Sequence, residues 1–321
     1  MLPLFLFFLT CFLIQVTCTF QPSNKLIDSE SQIKGEMSFE LDSNQTYTPR
    51  TIRPVISNTD SYLAILNNSN LTKLSIAAYD LNSGVKKYEY HLDSEGSNGV
   101  GNPRNFYMED EYYFIISSYS YSIFKMEADS IEHAYRLLSD SLEFDPLGGL
   151  VMSGTTNPCH VYDSVLYCPM IPDNNPFEKE YYRHNILLGL DIETGSTKHS
   201  YSYPKIYDDY RLLETSIYSN TFNDSLAIFS FPILDSIYVL NLNSGMVESK
   251  YAGSLLRYGD PITNDFSKIG TNLEARMEFL LNSRLYKYIY YDRYKKSIIV
   301  LLATLRVRNQ NLQKMPKIVY Q

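Results

Sequence analysis

Two cysteines that lie close together in the sequence carry the clearest chemical potential of the chain. Cys159 and Cys168 are separated by eight residues, and Asp163 and Ser164 mark a turn between them. Strands that meet at such a turn place the cysteines opposite each other, and facing cysteines form a disulfide in an oxidising compartment. Two free, buried thiols are the first alternative. A metal site that adds His160 is the second, although no fourth ligand is spaced as in a zinc motif, and we predict no metal.

A glycine-rich segment, EGSNGVG at residues 95–101, is the second candidate site. Its three glycines allow positive φ and expose backbone amides that can bind an anion. It is not a phosphate loop, since no Gly-Lys-Ser/Thr follows and no helix is predicted to begin there. The simpler interpretation is a tight link between the outer strand of one sheet and the inner strand of the next. The functional interpretation makes Glu95, Asn98, Gly99 and Arg104 the lining of a binding funnel.

Common catalytic motifs are missing from the sequence. There is no G-x-S-x-G elbow, no H-E-x-x-H and no paired C-x-x-C, and the five histidines show no converging pattern. We therefore predict no catalytic residue and no cofactor, and we favour a binding or scaffolding role toward a protein, a small molecule or a glycan. The alternative is a hydrolase or lyase acting on a glycan or an ester, with carboxylates that folding brings together.

The composition bounds the protein class. The net charge is −8 and no local Lys/Arg cluster occurs, which argues against nucleic acid as a partner. Hydrophobic residues make up 44% and charged residues 20%, as in ordinary globular domains. The 29 tyrosines and 16 phenylalanines favour strands, because aromatic side chains pack well on a pleated sheet.

The N-terminus predicts export. Residues 1–18 form an uncharged apolar run that is typical of a signal peptide, with a single membrane anchor as the alternative. Cys18 stands where a bacterial lipoprotein is acylated, although residues 15–17 make a poor lipobox. Residues 19–36 are polar and suit a flexible tether. We predict a periplasmic protein, or one anchored to the outer membrane or cell surface, that meets a membrane only through this segment.

A turn motif recurs along the rest of the chain. Asp80, Asp191 and Asn241 each end a strand-like run and precede a turn that closes on glycine, and a fainter copy places Lys125 in register. The spacings are 45 (80 to 125), 66 (125 to 191) and 50 (191 to 241), and the longest contains an insertion near residues 169–180. Four-stranded propeller blades recur at about 40–50 residues.

Further short, β-rich runs flank these copies and predict an all-β fold. They lie at residues 62–66, 87–92, 112–117, 165–171, 226–231, 288–294 and 297–305. A β-sandwich is the alternative, but it needs no higher period. The recurrence at blade length favours a β-propeller.

Counting gives five blades in outline, of which the fifth is unfinished. Residues 37–42 have strand character with no blade of their own, and in a closed propeller an N-terminal strand commonly completes the last blade. We therefore predict a monomeric propeller domain over residues 37–321, truncated at its C-terminal end with an incomplete last blade. A truncated, non-functional copy is the third interpretation of function.

Several short motifs resemble a known family. They lie at residues 79–84, 95–101, 229–232, 237–239, 252–254 and 290–294. Over about residues 40–295 the chain resembles an uncharacterised group of secreted bacterial lipoproteins with TolB-like six-bladed propellers. The resemblance implies that fold and an extracytoplasmic compartment, and it brings no established activity.

Overall fold

The structure is a computed structural model, and most of the residues that it describes lie in strands. It describes residues 14–19, 27–30, 39, 51–56, 61–67, 74–96, 99–109, 112–117, 122–127, 130–137, 149–176, 178–208, 217–252, 274, 284–292 and 296–304. None of the helices in these ranges is long and apolar enough to cross a membrane.

The strands of the first half, in chain order, are β1 (Ile14–Thr19), β2 (Ile27–Glu30), β3 (Ile52–Ile56), β4 (Ser61–Asn67), β5 (Leu74–Asp80), β6 (Lys86–Leu92), β7 (Asn105–Glu109), β8 (Tyr112–Ser117), β9 (Ser122–Glu127), β10 (Ser130–Arg136) and β11 (Gly149–Val151). The remaining elements are β12 (His160–Tyr162), β13 (Val165–Pro172), the helix α1 (Lys179–Arg183), β14 (Asn185–Asp191), β15 (Thr197–Ser202), a 3₁₀ turn (Lys205–Asp208), β16 (Ser219–Asn223), β17 (Leu226–Ser230), β18 (Ser236–Asn241), β19 (Val247–Tyr251), β20 (Arg284–Asp292) and β21 (Ser297–Thr304).

The strands form five sheets. Three sheets follow the chain in the orders β3-β4-β5-β6, β7-β8-β9-β10 and β16-β17-β18-β19. A fourth has the order β11-β13-β14-β15, with β12 also paired to β13, and the fifth has the order β2-β1-β21-β20. The pairs with a resolved register are antiparallel, as expected for strands joined by short turns. This is the all-β, β-propeller arrangement that the recurring motif predicts.

The recurring turn is confirmed at equivalent positions. Asp80, Asp191 and Asn241 are the last residues of β5, β14 and β18, each the third strand of its sheet. In every case the side-chain Oδ1 accepts hydrogen bonds from the backbone N–H groups two and three residues later, at 2.7–3.1 Å. The glycine that closes each turn has a φ between +70° and +72°, a conformation that favours glycine.

The chain divides into two compact units. Unit 1 comprises residues 1–6, 34–173 and 185–200, and unit 2 comprises residues 7–33, 174–184 and 201–321. Within unit 1 the sheet β3–β6 and the sheet β7–β10 bury apolar side chains against each other, as Ile76, Leu92, Phe106 and Ile115 illustrate. Each such side chain contributes about 1.5–3 kcal/mol when fully buried, so sheet-on-sheet burial holds this unit together.

The core of unit 2 contains a group of aromatic residues that we call the tyrosine cluster. Its members are Tyr181, Tyr182, Tyr203, Tyr207, Tyr218, Phe229 and Phe231, all buried. Neighbouring rings lie 4.9–5.9 Å apart between centroids in tilted, stacked and edge-on pairs. The first two tyrosines belong to α1, which begins at the end of the insertion that lengthens one spacing of the repeat, and they add to the core of unit 2.

Strands from both ends of the chain meet in the fifth sheet. β1 pairs with β21, with Gln15 opposite Leu301 and Thr19 opposite Ser297, and β2 pairs with β1. An N-terminal strand was expected to complete the last blade from residues 37–42, of which the structure describes Phe39. β1 and β2 lie in the segments that the sequence assigns to a signal and a tether. Removal of the signal and the count of six blades stay predictions.

Candidate functional site

The glycine-rich loop folds back on itself. An ideal Cβ on Gly99 would lie 2.7–2.9 Å from backbone atoms of Glu95, and the Gly99 N–H donates to the carbonyl of Gly96 at 3.1 Å. Glu95 is exposed, and Asn98 lies outside the described residues. Glycine at position 99 is therefore required by the close approach of the backbone. That fits the simpler interpretation of a tight link, and the binding role of Glu95, Asn98 and Gly99 stays a prediction.

Among the residues predicted to bind a ligand, Arg104 contacts a neighbouring sheet in the structure. It immediately precedes β7, and its carbonyl accepts a hydrogen bond from Thr51 Oγ1 at 3.1 Å, just before β3. Its N–H donates to the Ile116 carbonyl of β8 at 2.9 Å. Its backbone thus links the starts of the first strands of two sheets in unit 1.

Polar residues from three sheets of unit 1 meet near these strand starts, and we call them the Arg53 cluster. Its members are Thr51, Arg53, Asn105, Tyr107, Ser153 and Cys159. Two come from the start of β3, two from β7 and two from the segment between β11 and β12. The cluster forms because the first strand of each sheet has one edge without a neighbouring strand, and side chains bond to the backbone N–H and C=O groups there.

Arg53 is held from two sides. Its Nη2 donates to the Cys159 carbonyl at 3.1 Å, and its Cζ lies 4.4 Å from the centroid of the Tyr107 ring. The Tyr107 hydroxyl in turn accepts a hydrogen bond from the Val161 N–H at 3.3 Å. A guanidinium over an aromatic face is stabilised by the ring quadrupole. Arg53 is half-buried, so a fixed cation lies at the boundary between core and solvent.

Buried hydrogen bonds support this cation. Asn105 is 1% exposed; its Nδ2 donates to Ser153 Oγ, and its Oδ1 accepts from the Phe106 N–H at 2.7 Å. At an exposed position next to Arg53, the Ile52 N–H donates to Thr155 Oγ1 at 3.0 Å. Buried polar groups that are bonded across sheets rigidify the surrounding backbone. The positions around Arg53 are therefore fixed before any ligand arrives.

The two cysteines lie where the sequence places them. β12 and β13 form a hairpin whose two turn residues, Asp163 and Ser164, have φ of 51° and 56°, as in a type I′ turn. The register pairs His160 with Tyr167, which places Cys159 opposite Cys168. Both are free thiols in this structure and both are buried, with Sγ atoms 2.9 Å apart. The disulfide stays a prediction.

The chemistry available to the cysteines is restricted by their surroundings. Burial raises the pKa of the Cys168 thiol well above its usual value, the adjacent Cys159 raises it further, and Arg53 opposes both effects. A thiol of this kind is a poor nucleophile in the folded protein. Across the described ranges, no three His, Cys, Asp or Glu side chains lie close enough together to hold a metal ion.

Sequence reasoning missed Arg53, Asn105, Tyr107 and Ser153. The available signal was weak: an arginine inside the short β-prone run of residues 51–56. Cys18, the predicted lipidation site, lies in β1, where its backbone pairs with Ile298. Its acylation stays a prediction.

Antiparallel sheets of four and five strands, most of them following one another along the chain, define the class as an all-β propeller. Residues 28–298 match the family described as "Domain of unknown function (DUF4221)", and the chain belongs to that family. A crystal structure of a family member from Bacteroides vulgatus superposes with a TM-score of 0.70 at 18% identity, covering 87% of this chain and 78% of that chain. This likeness supports the fold class predicted from the sequence.

Two other solved structures are similar at lower scores. The extracellular domain of a putative one component system from B. thetaiotaomicron has a TM-score of 0.37 at 10% identity, covering 77% of this chain and 28% of that chain. Glutaminyl cyclase from Myxococcus xanthus has a TM-score of 0.35 at 9% identity, covering 79% and 89%. No match is found among curated proteins.

Proposed function

We propose that the protein is a binding propeller whose ligand carries a carboxylate held by Arg53. The observation that carries the proposal is the position of this side chain: half-buried, with its guanidinium fixed between the Tyr107 ring and the Cys159 carbonyl. A planar guanidinium presents five N–H donors in a fork that matches carboxylate geometry. A cation that is already oriented loses little entropy when it binds.

The composition of the Arg53 cluster favours binding over acid–base catalysis. Its six residues include no carboxylate and no imidazole, the groups most often used for general acid–base catalysis. Five of the six are buried, and Arg53 is the member that reaches solvent, so the cluster presents a cation supported by buried polar groups. A small molecule or glycan with a carboxylate matches this arrangement, because its charge meets the Arg53 guanidinium, which the buried ring of Tyr107 holds in place.

We also propose that the chain acts outside the cytoplasm as a six-bladed lipoprotein. The apolar run of residues 1–18 and the cysteine at its end support export and acylation. Cleavage before Cys18 would remove Gln15 from its pairing with Leu301. Mass spectrometry of the protein secreted by its host decides the point: an acylated N-terminus at residue 18 supports the proposal, and an intact, unmodified Met1 contradicts it.

The binding proposal is tested by titrating D-glucuronate and D-glucose, which differ in a carboxylate, into the purified protein by calorimetry. We expect glucuronate to bind at millimolar or lower concentration and glucose to bind more weakly. Arg53→Ala should weaken glucuronate binding about tenfold to a hundredfold, since a hydrogen bond to a charged group contributes about 1.5–3 kcal/mol. Arg53→Lys should recover only part of the loss, because lysine keeps the charge without the fork.

Arg136→Ala is the matched control, since Arg136 is an exposed arginine on the outer strand β10 of the same unit. It should leave glucuronate binding unchanged. Equal binding of both sugars, no binding of either, or an unchanged affinity in Arg53→Ala would overturn the proposal. Thermal melts of each variant confirm that a loss of binding does not come from unfolding.

A further inference from the structure

Cys159 belongs both to the cysteine pair and to the Arg53 cluster. The Cys159 carbonyl accepts the hydrogen bond of Arg53, and the Cys159 Sγ lies 2.9 Å from Cys168 Sγ and 3.0 Å from Ser153 Oγ. Ser153 in turn accepts from Asn105 of β7. Any restraint on Cys159 therefore acts on the acceptor that positions Arg53.

We propose that Cys159 and Cys168 form a disulfide that fixes the Cys159 carbonyl against Arg53 and thereby strengthens ligand binding. The two residues are cross-strand neighbours in a two-residue hairpin, where directly opposite Cβ atoms lie about 4.5–5.5 Å apart and a disulfide needs about 3.5–4.5 Å. The proximity of the two sulfurs shows that their side chains already point at each other. Bond formation requires the sulfurs to close from 2.9 Å to about 2.05 Å, through side-chain rotation and a small approach of the two strands.

The oxidant is a low-molecular-weight disulfide such as oxidised glutathione. Both thiols lose their protons, one sulfur attacks the oxidant and releases one thiol, and the second sulfur attacks the mixed disulfide and releases the other. The protein thus loses two electrons and the oxidant becomes two thiols. Burial of both cysteines limits access of the oxidant in the folded state. We therefore expect the bond to form during folding, before the hairpin is covered.

The test uses the full chain with Cys11→Ser and Cys18→Ser, so that Cys159 and Cys168 are the remaining cysteines. The protein is refolded with either oxidised glutathione or dithiothreitol. We expect the oxidised sample to lose two hydrogen atoms in intact mass and to yield a peptide that links Cys159 to Cys168. Its melting temperature should exceed that of the reduced sample by about 4 °C, given the short loop that is closed.

The control variant is Cys159→Ala with Cys168→Ala, which keeps both positions apolar. It should melt no higher than the reduced protein, because it also loses buried sulfur contacts, and its melting temperature should not respond to the redox conditions. A cysteine pair that stays reduced after oxidative refolding, or a disulfide that leaves the melting temperature unchanged, would overturn the proposed disulfide and its effect on the hairpin.

The predicted effect of the disulfide on glucuronate binding rests on the proposed function. If glucuronate binds, the oxidised protein should bind it at least about threefold more tightly than the reduced protein, and equal affinities would overturn the link to Arg53. If neither form binds glucuronate, the proposed function fails, whereas mass and melting temperature still decide whether the disulfide forms and stabilises the hairpin.

Discussion

The Arg53 cluster of unit 1 and the tyrosine cluster of unit 2 are both dense in aromatic or polar side chains, but they differ in charge and exposure. The tyrosine cluster is buried and uncharged, and burial raises the pKa of Tyr203 well above its usual value. The Arg53 cluster holds a half-buried guanidinium between a ring and a carbonyl. A neutral buried cluster stabilises the fold, whereas a fixed cation at the core boundary is suited to binding.

The comparison implies that substitutions in the two clusters have separable effects. Those in the tyrosine cluster should lower the free energy of unfolding and leave the affinity of the folded protein intact. Substitutions at Arg53 should lower the affinity and leave the free energy of unfolding nearly unchanged, because part of its side chain already meets solvent. Asn105 lies between these cases, since it is buried but supports the cation through Ser153.

The largest stability loss is expected for Phe231→Ala in the tyrosine cluster. Phe231 is 0% exposed and its ring contacts those of Tyr203, Tyr207 and Tyr218. Its truncation should lower the free energy of unfolding by about 3–5 kcal/mol, from lost burial and the cavity left behind. Phe231→Leu is the control and should cost less. Urea unfolding followed by tyrosine fluorescence measures both, and equal losses would contradict tight packing here.

A smaller loss is expected for Asn105→Ala. The change leaves Ser153 Oγ and the Phe106 N–H without their Asn105 partners in a buried place, which should cost about 1–3 kcal/mol. Glucuronate binding should weaken as well, because the support of Cys159 through Ser153 is lost. Asn82→Ala, at an exposed turn, is the control and should stay within about 0.5 kcal/mol of the wild type. Full stability in Asn105→Ala would show that the cluster is not cooperative.

The smallest effect is expected in the exposed turns, which belong to neither cluster. Hydrogen bonds from the Ser83 backbone lower the pKa of Asp80, and those from Thr194 lower that of Asp191. Because the folded pKa is lower than the unfolded one, each turn is more stable above pH 4 and loses that stability as the pH falls through the folded pKa. Asn241 makes the same backbone bonds without a titrating group.

Urea unfolding of the wild type and of Asp80→Asn with Asp191→Asn, between pH 6 and pH 3, measures this effect. The double variant should lose less stability on acidification than the wild type. Asn241→Asp should lose slightly more. Identical pH profiles would show that the three turns are not stabilised by their carboxylates.

The sequence predicts those features of the fold that depend on neighbours along the chain. The turns at Asp80, Asp191 and Asn241, the hairpin between the cysteines and the strand β8 follow from local turn chemistry and β-rich runs. The Arg53 cluster could not be predicted in this way, since its residues come from three sheets and meet only after the sheets stack. Of the predicted binding residues, Arg104 lies next to the Arg53 cluster, because its carbonyl bonds to Thr51. Thr51 and Arg104 each immediately precede the first strand of a sheet.

The tyrosine cluster and the fifth sheet show the same limit. The tyrosines of α1 directly follow the insertion and belong to no repeat pattern, and their burial depends on Tyr203 and Phe231, which follow later in the chain. The sequence predicts a completing strand at residues 37–42, of which the structure describes Phe39, and it does not predict that β1 and β2 join β21 in one sheet. A pairing between the two ends of a chain leaves no local signal that identifies its partner.

The most direct test of the account is the affinity of Arg53→Ala for D-glucuronate, measured beside the free energy of unfolding of the same variant. We predict a loss of affinity of about tenfold or more, with a free energy of unfolding close to that of the wild type. Unchanged affinity, or a loss that is matched by unfolding, would contradict the claim that this arginine is a preformed binding centre.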